Sequence, residues 1–409
     1  MRTIDFEPLY THAVRADRLE HFLPATVDMD YLRRLGVTAT PSEQTLEGLR
    51  RGSEILTERL RAGTLIPKNT FLLAEADINQ IRPEIHNYTG RCPTLTYEIN
   101  PVRGCALGCQ YCLVTDGSHE QPLTALDNYQ LYVRQLLETY NGASSDNAEH
   151  FYYFSPKTEA LQEPTLYTGI AHRILREFIS HYRRNPASHA RLFVASKAGA
   201  AHLLYKYEGE RIIDLFVQLK GKMQFNTSVS VMPTPLRDLL EPFAAPVEER
   251  LKAVALCQQH GIAANSALVQ PILTPCLTDE AIATFFGQLH QAGIINYKPE
   301  FLTVSMENIA ILGQYLAYSD PSAARRLFDD YLSPANAGHR KQRQRTAPDK
   351  EVCRHHLKRM IRHTDTLGMS VSICYWVRQQ LGIDERMIPV INRNGFQCLG
   401  YQTTLFHHV

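Results

Sequence analysis

The chain contains no run of about 18 apolar residues, the minimum for a membrane-crossing helix, so no span is expected. Its first residues, Met1-Arg-Thr-Ile-Asp-Phe-Glu7, lack the apolar centre of a secretory signal. Charge of one sign is also missing. The 43 basic and 42 acidic side chains leave a net +1, which gives no global field for nucleic acid. The nine cysteines are an odd set with no framework spacing, which argues against a disulfide-stapled secreted protein. No internal repeat beyond strand–helix alternation and no low-complexity segment occur. These absences lead to the expectation of a cytoplasmic protein with no membrane partner. With 409 residues and 44% hydrophobic content, the chain can bury a large core and build one barrel with extensions.

Three of the cysteines do have a pattern. Between Asn100 and Asp116, Cys105, Cys109 and Cys112 are spaced C-x-x-x-C-x-x-C, with Gly104 and Gly108 beside them and Tyr111 just before the third. Three thiolates in one glycine-containing loop suit a metal centre. Structural zinc closes with four protein ligands, usually as two C-x-x-C pairs, and the fourth ligand is missing. Iron–sulfur cubanes are normally held by four thiolates. Three therefore leave one iron open to a small molecule.

The surrounding chain divides into a segment over residues 1–93, an alternating core over 94–304 and an extension over 305–409. In the first, Thr40 or Ser42 caps a helix with apolar residues Leu46, Leu49, Ile55, Leu56 and Leu60 that ends near Gly63. In the core, strands are expected at 94–100, 150–154, 191–195, 223–229, 263–270 and 299–304. Helical stretches at about 124–140, 164–183, 199–220, 246–260 and 278–292 separate them. This alternation implies a parallel α/β sheet, either curled or doubly wound. The extension reads as helices near 320–332 and 349–367 and a strand over 370–377, with a basic run from His339 to Arg345 between the helices. That run suits either a phosphate or a solvated loop. His407 and His408 read as a frayed tail.

The cysteine spacing, with its aromatic Tyr111, resembles that of the radical S-adenosylmethionine superfamily. The resemblance implies that Cys105, Cys109 and Cys112 hold a [4Fe–4S] cluster and that S-adenosylmethionine binds the fourth iron. The reduced cluster then generates a 5′-deoxyadenosyl radical that takes hydrogen from a substrate. A flavodoxin or ferredoxin would supply the electron. The fold implied is a partial (β/α)6 TIM-like barrel with an N-terminal helical segment and a C-terminal α+β extension. The site of such a barrel lies at the C-terminal ends of its strands, where the cysteine loop is placed.

Within that superfamily, Tyr-Phe-Ser155-Pro-Lys-Thr158-Glu159, Ala-Ser-Lys197, Asn226-Thr-Ser228-Val-Ser230 and Glu-Glu-Arg250-Leu resemble the spore photoproduct lyase branch. By that resemblance Lys197 and Ser228 or Ser230 contact the carboxylate of S-adenosylmethionine, and Ser155, Thr158 or Glu159 its amine or ribose. Tyr111, Asn226 and Gln270 complete the candidate cofactor site. The branch's hydrogen-donor cysteine, found soon after the triad, has no counterpart in Leu113–Ser118. Radical dehydratases and epimerases of aminoglycoside and sugar-type natural-product biosynthesis are similar too. A small hydroxylated or aminated substrate is therefore expected, and DNA repair is the alternative. Cys374 and Cys398 are candidate hydrogen donors, with Glu159, Glu300 and Glu307 as acid–base or amine-binding groups. The six cysteines outside the triad are at least 19 residues apart, so a second cluster is not expected.

Overall fold

The computed structural model describes residues 1–10, 22–62, 69–85, 95–112, 123–139, 150–332, 345–373, 377 and 381. Its centre is an eight-stranded sheet. We number the strands β1 (Glu84–Ile85), β2 (Leu95–Ile99), β3 (His150–Phe154), β4 (Ala190–Ser196), β5 (Met223–Val229), β6 (Ser266–Ile272), β7 (Asn296–Phe301) and β8 (Ser370–Val371). Spatial order follows chain order, β2 to β8 run parallel, and β1 lies antiparallel on β2. Each strand therefore pairs with its successor, and intervening helices carry the chain back, as parallel neighbours require. The order has two ends, so the barrel is open, as a partial TIM-like fold.

Alternation assigns the two faces of the sheet. Tyr152, Phe154, Leu192, Val194, Ala267 and Val269 join the core that packs on the surrounding helices. Phe151, Tyr153, Phe193, Ala195 and Leu268 form a separate cluster on the inner face. On β5 every residue is buried. Its outward side chains Met223, Phe225 and Val229 are apolar, whereas Gln224, Asn226 and Ser228 point the other way. Gln224 Nε2 donates to Asn226 Oδ1 at 2.8 Å along that row.

A second apolar core joins the two ends of the sequence. Helices Met29–Leu35, Glu43–Arg61, Met306–Ser319 and Pro321–Leu332 share it with Leu107, Cys109 and Tyr111 of the cysteine loop. Ser42 is the cap of the second helix, its Oγ accepting from Thr45 N at 3.3 Å. That helix approaches its partner closely. A β-carbon at Gly52 would lie 2.3 Å from the carbonyl oxygen of Glu307.

Several elements differ from the sequence expectation. Thr124–Leu126 is not the start of a helix but a strand paired parallel with Thr70–Ala74, and the helix begins at Tyr129. The single helix expected over 164–183 is two, Glu163–Tyr167 and Ile170–Arg184, parted at Gly169 with φ +70°. The chain between 199 and 220 includes a hairpin, Lys206–Tyr207 with Glu210–Arg211. The last core strand begins at Asn296, three residues earlier than expected, and ends at Phe301. Residues Met306–Ser319 form a helix that the sequence pattern does not mark. Ile309, Ala310, Ile311, Leu312, Tyr315 and Leu316 are all buried, so no polar face gives its sequence a helical period. The strand of the extension pairs with β7 and so belongs to the central sheet. Most of the basic run, and Cys374, Cys398, His407 and His408, lie outside the described residues. No described helix is long and apolar enough to cross a membrane.

Candidate active site

The cysteine loop leaves the C-terminal end of β2. After Pro101 and the two-residue strand Val102–Arg103, the backbone turns at Gly104 with φ +83° and again at Gly108 with φ +58°. Glycine adopts such dihedrals without the steric cost that a β-carbon brings. The loop then closes on itself, Cys112 N donating to Cys109 O at 3.1 Å. It is pinned from both sides. Ala106 N donates to Gln162 Oε1 at 2.8 Å, and Gln110 N donates to Leu240 O at 2.9 Å. Cys109 is buried, while Cys105 and Cys112 are partly exposed.

The three thiols form one electrostatic group. Burial pushes Cys105 well above the usual thiol range, and Cys109 and Cys112 add to the rise. Burial likewise pushes Cys109 up to about 11, with Lys197 pulling it back and Glu241 and Cys112 opposing that pull. Such thiols are protonated at neutral pH and become thiolates when a cation replaces the protons. Among the described residues no three His, Cys, Asp or Glu side chains gather as ligands of a single ion. In a cluster each thiolate serves its own iron. A loop that turns at two glycines and offers three separate thiols fits that group by donor chemistry.

The ends of the next strands surround this loop. Ser155 follows β3 with φ +53°, an uncommon conformation for a residue other than glycine. Its Oγ and Thr158 Oγ1 are buried with no hydrogen-bond partner. Glu159 is buried and ties this turn to the end of β4. Its carboxylate accepts Ser196 Oγ at 2.5 Å, Lys197 N at 2.7 Å and Leu161 N at 3.1 Å. Lys197 Nζ donates to Glu241 Oε1 at 2.5 Å and to the hydroxyl of Tyr111. Ser230 Oγ donates to the same carboxylate at 3.4 Å, and Ser228 O accepts Arg250 Nη1 at 2.9 Å.

The structure thus gathers Tyr111, Lys197 and Ser230 about one carboxylate, with Ser228 held beside them and Glu159 tied to the Lys197 backbone. Asn226 lies further down β5, on Gln224. Gln270 is half-buried at the end of β6. Glu300 sits on β7, 3.5 Å from Lys298 Nζ. Glu307 is placed elsewhere, in the first turn of helix Met306–Ser319 against Gly52.

No family model matches the chain, and no curated protein matches it. Solved structures do. A tyrosine-to-phenylalanine mutant of spore photoproduct lyase overlays with a TM-score of 0.51 at 12% identity, covering 87% of this chain and 96% of that chain. A cysteine-to-alanine mutant with dinucleoside spore photoproduct overlays with a TM-score of 0.50 at 13% identity, covering 73% and 80%. The fold is that of spore photoproduct lyase. A looser overlap, with a TM-score of 0.42 at 14% identity and covering 86% and 69%, is found with the radical S-adenosylmethionine methyltransferase TsrM from Kitasatospora setae with cobalamin and a [4Fe–4S] cluster bound.

Three residues to which no sequence motif assigns a role, Gln162, Glu241 and Arg250, hold this site together. Glu241 ends helix Thr234–Leu240 as its last cap and is wholly buried. Burial alone would raise its carboxyl, but Arg250 and Lys197 outweigh it and hold the group below the usual carboxylate range. Arg250 is also wholly buried, its Nε on Ala245 O at 2.6 Å. In the sequence Glu241 follows two leucines and precedes proline, with no recurring spacing to mark it. Its one signal is a carboxylate at the end of a short, leucine-rich helix.

Proposed function

We propose that this chain is a radical S-adenosylmethionine enzyme, with Cys105, Cys109 and Cys112 holding a [4Fe–4S] cluster. One observation carries the reading: three thiols share a loop at the C-terminal end of the first parallel strand, and the buried, partnerless hydroxyls of Ser155 and Thr158 follow the strand paired with it. Buried polar atoms are normally satisfied, so two orphans at a strand-end rim fit a polar ligand. When bound, the cluster and S-adenosylmethionine supply sulfonium cleavage and hydrogen-atom abstraction.

The protein's part is to bind and orient. Lysine has three N–H donors. Lys197 directs two of them to Glu241 and Tyr111, which leaves one for the methionyl carboxylate. Ser228 and Ser230 stand on the same rim. Ser155 and Thr158 suit the amine or ribose, and Asn226 and Gln270 line the inner face. Glu159 keeps the Lys197 backbone in place and is the acid–base candidate of this rim. The substrate we propose is a small hydroxylated or aminated molecule of the aminoglycoside or sugar type, undergoing dehydration, deoxygenation or epimerisation. The inner row Gln224, Asn226 and Ser228, with Lys298 and Glu300 on β7, supports a polar occupant. Cys374 or Cys398 would return a hydrogen atom, and a flavodoxin or ferredoxin would be the electron donor.

The second reading is repair of a DNA lesion. The lyase fold favours it, and the near-zero net charge counts against it. Anaerobic reconstitution is expected to give about four irons per chain. Reductant and S-adenosylmethionine should then yield 5′-deoxyadenosine. No release under several reductants would remove the leading reading. Turnover on a thymine-lesion oligonucleotide, with none on an aminoglycoside panel, would replace the substrate class.

A further inference from the structure

The buried charge cluster beside the cysteine loop includes two residues, Glu241 and Arg250, that the cofactor reading does not use. Glu241 Oε2 accepts Arg250 Nη2, and Oε1 accepts both Lys197 Nζ and the Tyr111 hydroxyl. Neither Glu241 nor Arg250 touches solvent. The residue before Glu241 grips the loop by its backbone, Leu240 O accepting Gln110 N at 2.9 Å. Two consecutive residues therefore hold two consecutive residues of the cysteine loop, one pair through main chain and one through side chain. Lys197 Nζ also lies 4.9 Å from the centre of the Tyr111 ring. Two cations, Lys197 and Arg250, face Glu241 in this group, and the Glu159 carboxylate lies on the Lys197 backbone beyond it. A cluster on three thiolates would be an anionic body, which the nearby Lys197 cation stabilises and the nearby Glu241 carboxylate opposes.

We propose that Glu241 is a positioning residue of the cysteine loop: clamped by Arg250, it fixes Tyr111 and Lys197, sets the loop before any cluster arrives, and with Lys197 sets the potential of the cluster once bound. This rests on the cluster reading above for its second half only. The first half concerns the metal-free chain. Removing the negative charge of Glu241 favours the reduced cluster less opposed by like charge, so the midpoint potential rises. Removing the positive charge of Lys197 lowers it. A residue that merely filled the core would not give opposite signs for two charge deletions.

The test uses the full chain in two states. In the metal-free protein, alkylation of each thiol is followed by mass spectrometry in wild type, Glu241→Gln and Tyr111→Phe. Losing a charge-assisted hydrogen bond should raise the labelling rate of Cys109 about tenfold, through more frequent local opening. Cys353, buried on helix Lys350–Asp365 away from the loop, should be unchanged. Tyr111→Phe removes a single hydroxyl and serves where Glu241→Gln fails to fold. In the reconstituted protein, an EPR-monitored redox titration should place the midpoint of Glu241→Gln above wild type and that of Lys197→Met below it. Unchanged Cys109 labelling, or equal rises at Cys109 and Cys353, overturns the proposal, as do potentials that move in the same direction. Wild type that takes up no iron overturns the cluster reading instead, and the labelling alone then decides the positioning role.

Discussion

The backbone N–H of Lys197 donates to Glu159 Oε2 at 2.7 Å, tying the last residue of one strand end to the turn after its neighbour. The same carboxylate takes Ser196 Oγ and Leu161 N. Hydrogen bonds to a charged acceptor contribute about 1.5–3 kcal/mol each. Glu159→Gln keeps the shape and loses the charge. We expect it to lower unfolding stability by about 2 kcal/mol in urea and to raise the KM for S-adenosylmethionine more than it lowers kcat, because it displaces Lys197.

Ser155 carries a positive φ and a buried hydroxyl with nothing to bond. Both burdens vanish in Ser155→Gly. Thermal unfolding of the metal-free protein should show a gain of about 1 kcal/mol, the αL penalty less the entropy cost of glycine. If the hydroxyl serves the cofactor, affinity for S-adenosylmethionine falls by about tenfold in the same variant. A protein both more stable and weaker in binding is the expected outcome, and unchanged affinity would exclude Ser155 from the site.

Gly52 leaves no room for a side chain, a β-carbon there falling 2.3 Å from Glu307 O. The obstacle is backbone and cannot rotate away. Gly52→Ala should therefore destabilise by about 1–3 kcal/mol despite alanine's better helix propensity. Denaturant midpoints at equal m-value check this.

Burial pushes the Asp330 carboxyl up to about 6, Thr274 Oγ1 pulling it back and Asp329 adding to the rise. In the unfolded chain an aspartate titrates near about 3.9, so the folded chain holds this proton more tightly. The stability it contributes is complete below about pH 4 and is lost as the pH climbs through about 6. Asp330→Asn should flatten that part of the profile and exceed wild type at about pH 8. Unfolding midpoints at the two ends of the range measure it.

The parts of this molecule that were legible in its sequence are those governed by short-range spacing. The cysteine triad is contiguous, and β3 and β5 were placed to the residue because apolar runs between turn formers mark buried strands. Lys197 and Ser230 are named from their places at strand ends, and the structure brings both to the Glu241 carboxylate. What stayed hidden depends on contacts between distant segments. Helix Met306–Ser319 has no polar stripe because Glu43–Arg61 covers a face that would otherwise be wet. Thr124–Leu126 takes strand form because Thr70–Ala74 offers it an edge. Glu241 acquires meaning only through Arg250, Lys197 and Tyr111, none of which is near it by helical or strand periodicity.

The shared core of helices Glu43–Arg61 and Met306–Ser319 also has a consequence in time. A ribosome adds about 5–20 residues each second, and roughly 250 residues separate the two helices, so the earlier one waits about 10–50 s for its mate. During that interval Leu46, Leu49 and Leu56 emerge as an uncovered apolar stripe on the nascent chain, a natural landing place for a chaperone until the later helix is made.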